Sequence, residues 1–94
     1  MIDKLIHEPA RLQLVASLYV VDAADFVFLL RQTGLTGGNV SSHMSKLEEA
    51  GYVDVQKSFV GKRPQTVFRL TKAGRKAFRT YRETMKGLLD TLPE

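Results

Sequence analysis

The side chains able to bind a polyanion are concentrated in the second half of this chain. Ten residues from Lys57 to Lys86 are basic and only Glu83 is acidic, whereas Met1 to Leu47 holds four basic and four acidic residues. The formal net charge over all 94 residues is +4. A one-sided basic segment in a folded domain is typical of proteins that bind nucleic acid. A basic surface that contacts only water is the alternative.

Catalytic and metal-binding patterns do not occur in the sequence. It contains no cysteine, and its two histidines, His7 and His43, lack partners at metal-ligand spacing. No glycine-rich phosphate loop, nucleophile elbow or carboxylate pair is present. We therefore expect no enzyme activity, no metal and no cofactor. His43 is expected to form a local hydrogen bond or to contact a phosphate.

Composition also bears on where the chain acts. The longest apolar run is far shorter than the ~20 residues that cross a bilayer, and the charged residues near Met1 do not fit the apolar core of a secretory signal. A chain without cysteine fits a reducing compartment. We expect a single domain over residues 1–94, cytoplasmic and without a membrane partner.

Hydrophobic periodicity and capping residues predict a mainly α chain with a small β-hairpin. Asp25 and Thr36 are suited to cap helices, because their side-chain oxygens can accept from backbone N–H groups. Gly34 separates those two helices, since glycine readily takes the left-handed position after a helix. The predicted elements are a helix over 9–21, a short strand at 23–24, helices over 26–33 and 37–51, strands over 52–59 and 65–70, and a final helix over 71–92.

The two longer strands are predicted to form a hairpin around the turn Gly61-Lys62-Arg63-Pro64. Alternation sends one set of side chains toward the core and the other toward solvent. Lys57 and Arg69 are assigned to the polar face, where they can contact a phosphate backbone. The residues expected to face the core are Val53, Val55, Phe59, Thr66, Phe68 and Leu70.

The helix predicted over 37–51 has one apolar face and one face of small polar side chains. At about 100° per residue, Val40, Met44 and Leu47 cluster inward. Two glycines in its first turn cost about 1 kcal/mol each relative to alanine, and close approach to a partner would explain that cost. Two helices joined by a tight turn form a helix-turn-helix, whose second helix enters the major groove of DNA. A well-capped amphipathic helix without a partner is the alternative.

Several linked motifs resemble a known family. GLTGGNVSSHMSKLEEAGYV, followed by KSFVGKRPQTVFRLTKAGRKAF, is similar to the small winged-helix transcriptional regulators related to MarR and ArsR, and the resemblance covers residues 7–89. It implies an α+β winged helix-turn-helix, with the helix-turn-helix at 25–51, a wing at 52–70 whose tip contacts DNA, and a dimerisation helix at 71–92. The cysteine-containing metal motif of ArsR-type sensors is absent. Many MarR-type proteins carry a guanine-recognising arginine where this chain has Ser42, so the resemblance names no operator bases.

The expected DNA contacts lie on the recognition helix and at the tip of the wing. Asn39 can pair with an adenine edge, and serine hydroxyls can donate or accept. Arg63 is the stronger candidate at the tip, because narrow minor grooves favour arginine. The full set of expected DNA-binding residues is Thr36, Gly38, Asn39, Ser41, Ser42, Ser45, Lys46, Lys62 and Arg63.

The final helix carries an apolar stripe and a basic stripe. A domain this small cannot easily cover so long a helix, and the resemblance implies dimerisation through the first and last helices. The residues expected at the dimer interface are Leu12, Tyr19, Phe78, Tyr81, Met85, Leu88, Leu89 and Leu92. The basic stripe is assigned to solvent because it lies away from the recognition helix, and it comprises Lys72, Arg75, Lys76, Arg79, Arg82 and Lys86.

These observations favour a homodimeric, sequence-specific regulator that binds a pseudo-palindromic double-stranded DNA operator. One alternative is a winged helix that serves as a protein-interaction module without DNA binding, with the apolar stripes docked on a different chain. RNA binding through the basic stripe is a third reading, although no aromatic side chains accompany those cations for stacking. The sequence assigns no effector, operator or sign of regulation.

Overall fold

The computed structural model describes residues 1–93 and has the predicted element order. Its three strands form one antiparallel sheet, in which the third strand in sequence lies between the first and the second. The fold is the predicted winged helix-turn-helix, mainly α with a small hairpin sheet. Its elements are α1 (Pro9–Tyr19), β1 (Ala24–Asp25), α2 (Phe26–Thr33), α3 (Gly37–Glu49), β2 (Val53–Val60), β3 (Arg63–Leu70) and α4 (Lys72–Asp90).

The helix boundaries follow from side-chain caps that the sequence predicts. The Asp25 carboxylate accepts from the backbone N–H of Phe28 at 2.7 Å, and the Thr36 hydroxyl accepts from that of Asn39 at 3.2 Å. Both bonds satisfy N–H groups that have no partner within the helix. Gly34 ends α2 with φ +70°, the left-handed conformation that glycine adopts without a Cβ penalty. These caps fix the tight turn between α2 and α3.

The core holds the inner face of α3 against α1, α2 and the sheet. Val40, Met44 and Leu47 are at most 1% exposed, as the helical spacing predicts. The buried face of α1 is Leu14, Val15 and Leu18, whereas Leu12, Ala16 and Tyr19 are only partly buried. The helix that carries the outward polar face is therefore anchored along its whole opposite side.

The hairpin is longer and its turn tighter than the sequence analysis predicts. β2 and β3 pair from Val53↔Leu70 to Val60↔Arg63, which leaves Gly61 and Lys62 as a two-residue turn. Gly61 has φ +65°, and glycine at the first position of such a turn matches the right-handed twist of the strands. The prediction that Phe59 faces the core is wrong, because its side chain is 72% exposed. The outer half of the hairpin extends beyond the body, so strand alternation continues there without a core to meet.

The start of α4 is attached closely to the rest of the fold. The Thr71 N–H donates to the carbonyl of Tyr52 at 3.0 Å, and the Thr71 hydroxyl donates to that of Gly51 at 2.6 Å. Arg75, which the sequence assigns to a solvated basic stripe, instead donates to the carbonyl oxygens of Tyr19 and Val21 at 3.1 and 3.0 Å. Its guanidinium satisfies carbonyls at the end of α1, so this part of the stripe is structural.

Candidate nucleic-acid interface

The polar face of α3 is open to solvent along its length. Seven of the residues expected to bind DNA lie at or on this helix, and all seven are exposed. The first turn carries no acidic residue, so the partial positive charge of its free N–H groups is not neutralised there by a carboxylate. The exposed residues are Thr36, Gly38, Asn39, Ser41, Ser42, Ser45 and Lys46.

Packing within the chain requires neither of the two glycines in the first turn of α3. A Cβ at Gly37 would lie 3.4 Å from the ring of Phe26, which is an ordinary van der Waals contact. A Cβ at Gly38 would meet no atom within 4 Å. Gly38 is also exposed, so the close approach of an external partner remains an explanation for a glycine at this position.

A small polar cluster fastens the middle of α3 to the start of α1. Arg11 donates through Nη1 to Nδ1 of His43 at 3.1 Å, and Oε2 of Glu8 lies 3.6 Å from the same nitrogen. The backbone N–H of Arg11 donates to the Glu8 carboxylate and, as the largest influence, lowers the pKa of that carboxyl. His43 thus forms the local hydrogen bond expected of it. The cluster sets the position of α3 and leaves its outward face free.

A cleft of about 370 Å³ separates α3 from the inner face of the wing. Its apolar part includes Met44 and Phe68, which are almost fully buried. Hydroxyl groups and one charge of each sign also line the cleft, so a phosphate backbone would meet donors on both walls. These polar lining residues are Ser41, Ser45 and Glu48 from α3 and Lys57 and Thr66 from the wing.

The cleft corrects the assignment of Lys57. The sequence analysis places Lys57 on the polar outer face with Arg69, yet Lys57 pairs with Thr66 on the face that looks toward α3. Arg69 pairs instead with Asp54, and both are exposed on the outer face. Val55 and Lys57 are two residues apart on one strand, so the alternation of side chains along the strand predicts that Lys57 shares the inner face with Val55. Thr66, predicted only as a core residue, lines the cleft beside Lys57.

The tip of the wing presents the two expected cations to solvent. Lys62 lies in the two-residue turn, and Arg63 begins β3; both are exposed. The wing and α3 therefore form the two walls of one concave surface. Polar groups that can contact phosphate or base edges occur on each wall.

The apolar stripe of α4 is divided between the core and solvent. Phe78 and Tyr81 are 8% and 6% exposed, because they pack on each other and on the body of their own chain. Leu88, Leu89 and Leu92 lie further along the same stripe and are 48%, 57% and 59% exposed. Leu12, Tyr19 and Met85 are partly buried against the core. The surface left for a partner is consequently the C-terminal end of the stripe.

Comparison with known proteins agrees with this geometry. Residues 10–89 match the family model described as "Winged helix DNA-binding domain". The chain belongs to this winged-helix DNA-binding family. It is 36% identical over 78 residues to protein MJ0432 of Methanocaldococcus jannaschii, covering 83% of this chain and 85% of that one.

Solved structures of winged-helix proteins superpose on nearly the whole chain. The transcriptional regulator homologue protein of Pyrococcus horikoshii OT3 superposes with a TM-score of 0.90 at 28% identity, covering 98% of this chain and 91% of that one. A MarR-family transcriptional regulator of Silicibacter pomeroyi gives a TM-score of 0.71 at 22% identity, with coverages of 93% and 57%. The expected winged-helix DNA-binding family is confirmed, and the likeness to the MarR-family structure is one of fold.

Two further findings concern the described part of this winged-helix domain. Within residues 1–93, no group of three or more histidine, cysteine, aspartate or glutamate side chains is arranged to hold a metal ion. None of the helices described is both long and apolar enough to cross a membrane.

Proposed function

We propose that this winged-helix chain is a sequence-specific regulator that binds double-stranded DNA. Its α3 helix lies in the major groove, and its wing contacts the adjacent backbone or minor groove. The observation that carries the proposal is the concave surface between α3 and the wing. Its helical wall offers Ser41 and Ser45, and its wing wall offers Lys57 and Thr66. Asn39 and Ser42 are exposed on the same helix outside the cleft. The major groove of B-DNA is about 12 Å wide, which admits an α-helix such as α3.

The residues of the surface have separable roles. Asn39, Ser42 and Ser45 on the outward face of α3 are positioned to contact base edges and so to set sequence preference. Lys57 and Thr66 in the cleft bind the phosphates of the strand that passes between the two grooves. Lys46, Lys62 and Arg63 complete the backbone and minor-groove contacts, with Thr36, Gly38 and Ser41 allowing close approach at the start of the helix.

The test uses two variants that change the charge of the cleft in opposite directions. Lys57→Gln removes a cation and Glu48→Gln removes an anion, both at exposed positions on the cleft walls. Affinity for duplexes selected from a random pool is measured between about 50 and 200 mM salt, where phosphate contacts give a steep dependence. We expect Lys57→Gln to weaken binding and to reduce the salt slope by about 1, and Glu48→Gln to strengthen binding.

Sequence preference is tested on the same duplex pool. Asn39→Ala should lower affinity for the selected sequences by about 1–3 kcal/mol and relax the preference at one position, because it removes a bidentate base contact. A flat salt dependence of the parent protein, or equal effects of the two cleft variants, would contradict the proposal. A parent protein that is monomeric and does not bind duplex DNA would favour the alternative, in which the domain is a protein-interaction module.

The proposed DNA-binding unit is a homodimer formed through α4 and α1. The C-terminal part of α4 extends the stripe of Phe78 and Tyr81 beyond the body. Its Leu88 and Leu89, and Leu92 just after the helix, are about half exposed. The chain measures 55 × 25 × 20 Å, and its radius of gyration is 14.4 Å, compared with about 12 Å for a compact domain of this length. Burying these leucines against a second copy would place two α3 helices on one face of a duplex, matching a pseudo-palindromic operator.

Dimerisation is tested by a matched pair on α4. Leu89 lies on the apolar stripe, whereas Lys76 lies about 140° away around the helix, and both are exposed. Leu89→Glu should weaken self-association at least about 100-fold, because one leucine is lost from each side of a symmetric interface. Lys76→Glu should leave the association unchanged. Sedimentation over a concentration series distinguishes these outcomes, and a parent protein that stays monomeric would contradict the dimer.

A further inference from the structure

The wing carries a large apolar side chain where the core no longer reaches. Phe59 is 72% exposed, two residues before the turn that ends in Lys62. The segment from Val55 to Val67 contains three basic residues and no acidic one. A single exposed hydrophobic residue is ordinary on a protein surface, but an exposed aromatic ring among the cations of the outer hairpin has the composition of a nucleic-acid contact.

The register of the hairpin gives the side on which the ring lies. Phe59 pairs with Pro64. Because side chains alternate along a strand, this pair shares a face with the pair two positions further inward, Lys57 and Thr66. That pair lines the cleft opposite α3. Phe59 thus continues the cleft wall outward to the tip, on the side from which a duplex would approach. Val60, its neighbour in sequence, lies on the other face.

The charge around the ring favours a polyanion over a second copy of this chain. The exposed apolar side chains of another copy include Leu88 and Leu89 on α4, whose adjoining faces carry exposed Lys76, Arg79, Arg82 and Lys86. A wing with three cations would be repelled by this helix. A duplex, in contrast, offers phosphates to the cations and an apolar base stack to the ring.

We propose that Phe59 inserts at the edge of a base step in the minor groove, partly unstacking the step and kinking the duplex. This inference rests on the proposed DNA binding. Phenylalanine and proline are among the side chains that minor-groove proteins use as such wedges, and here Phe59 and Pro64 form one cross-strand pair. The ring then favours flexible pyrimidine–purine steps such as TA, which are the easiest to open. Phe59 sets sequence preference at that step without a hydrogen bond.

The experiment compares Phe59→Ala with Val60→Ala, the adjacent exposed residue on the opposite face. The probe is a duplex with central TA steps, one of which carries 2-aminopurine, whose fluorescence rises on unstacking. The parent should raise the fluorescence and Val60→Ala should do the same. Phe59→Ala should bind the duplex about tenfold more weakly and should not raise the fluorescence. Phe59→Trp should keep both the parent's affinity and the fluorescence increase. The salt slope should stay unchanged in Phe59→Ala, because no phosphate contact is lost.

The outcomes separate this inference from the proposed function. If the parent binds the duplex and Phe59→Ala behaves like the parent, the wedge is refuted while DNA binding stands. Equal losses in Phe59→Ala and Val60→Ala would also refute it, because the face that carries Phe59 would then contribute no more than the opposite face. A change in solution mass in Phe59→Ala alone would reassign the ring to a protein contact. If the parent does not bind duplex DNA under any salt condition, both proposals fail.

Discussion

Substitution of Gly74 by alanine tests the packing that attaches α4 to the wing. A Cβ at this position would overlap the carbonyl oxygen of Tyr52 and lie 3.0 and 3.1 Å from its carbonyl carbon and Cα. All three are backbone atoms at the start of the hairpin, so no side chain can rotate away. The clash is relieved only if the first turn of α4 moves off the sheet.

The magnitude follows from what that movement breaks. Overpacking against a rigid neighbour costs about 1–3 kcal/mol. Displacement of the turn also weakens the hydrogen bonds from Thr71 to the carbonyls of Tyr52 and Gly51, each worth about 0.5–1.5 kcal/mol. Alanine returns about 1 kcal/mol in helix propensity. The expected net loss is about 3 kcal/mol, which lowers the midpoint of thermal unfolding by about 10–25 °C for a domain of this size.

Gly87→Ala is the matched control on the same helix. Gly87 is exposed, and a Cβ there would meet nothing within 4 Å. The same substitution should therefore stabilise the fold by up to about 1 kcal/mol. Both variants are unfolded thermally and in urea at one fixed protein concentration, because association would shift the midpoint. Equal stabilities of Gly74→Ala and Gly87→Ala would refute the close approach of α4 to the Tyr52 carbonyl.

Two further predictions concern polar contacts between distant segments. Arg75→Ala should destabilise the fold by about 2 kcal/mol, because it removes two charged hydrogen bonds to the end of α1, whereas exposed Arg79→Ala should change the unfolding free energy by less than about 0.5 kcal/mol. The hydrogen bond from Tyr52 to the Asp3 carboxylate, 2.6 Å long, raises the pKa of Tyr52 to about 12 from 10.0. The folded state therefore holds this proton more tightly, so the linked stability is complete below pH 10 and is lost as the pH rises toward 12. When the free energy of unfolding is measured against pH, this decline at alkaline pH should be absent in Tyr52→Phe.

Local signals in the sequence were sufficient to predict the helix-turn-helix. Asp25, Thr36 and Gly34 define its boundaries through short-range hydrogen bonds and one backbone conformation, which depend on only a few neighbouring residues. The spacing of Val40 and Met44 then fixes which side of α3 is buried. The outward face of the site follows directly from that inner stripe.

The wing shows where such local reasoning stops. Alternation predicts correctly that Val55 and Phe59 share a face, yet whether that face is covered depends on how far the body extends beneath it. Val55 is partly buried and Phe59 is open. Arg75 is a second case, because its partners lie 56 and 54 residues away in sequence. Burial of this kind is set by tertiary geometry, which neither residue type nor spacing encodes.

The same limit applies to the expected dimer residues on α4. Periodicity joins Phe78, Tyr81, Leu88 and Leu89 in one stripe, but the fold covers the first two with their own chain and leaves the last two exposed. A continuous stripe on a helix identifies its apolar side. It does not identify the point at which the intramolecular core ends.

The hairpin has a third strand beside it for only part of its length. β1 pairs with β3 at Val67 and Phe68 alone, so the outer half of the wing is a two-stranded ribbon held by its cross-strand pairs and the turn. Such ribbons are marginally stable by themselves. A ligand that fixes this ribbon must first overcome its conformational entropy, which reduces the observed affinity. A covalent crosslink between the paired positions Ser58 and Gln65 should therefore tighten binding by preorganisation, without adding any contact to the ligand.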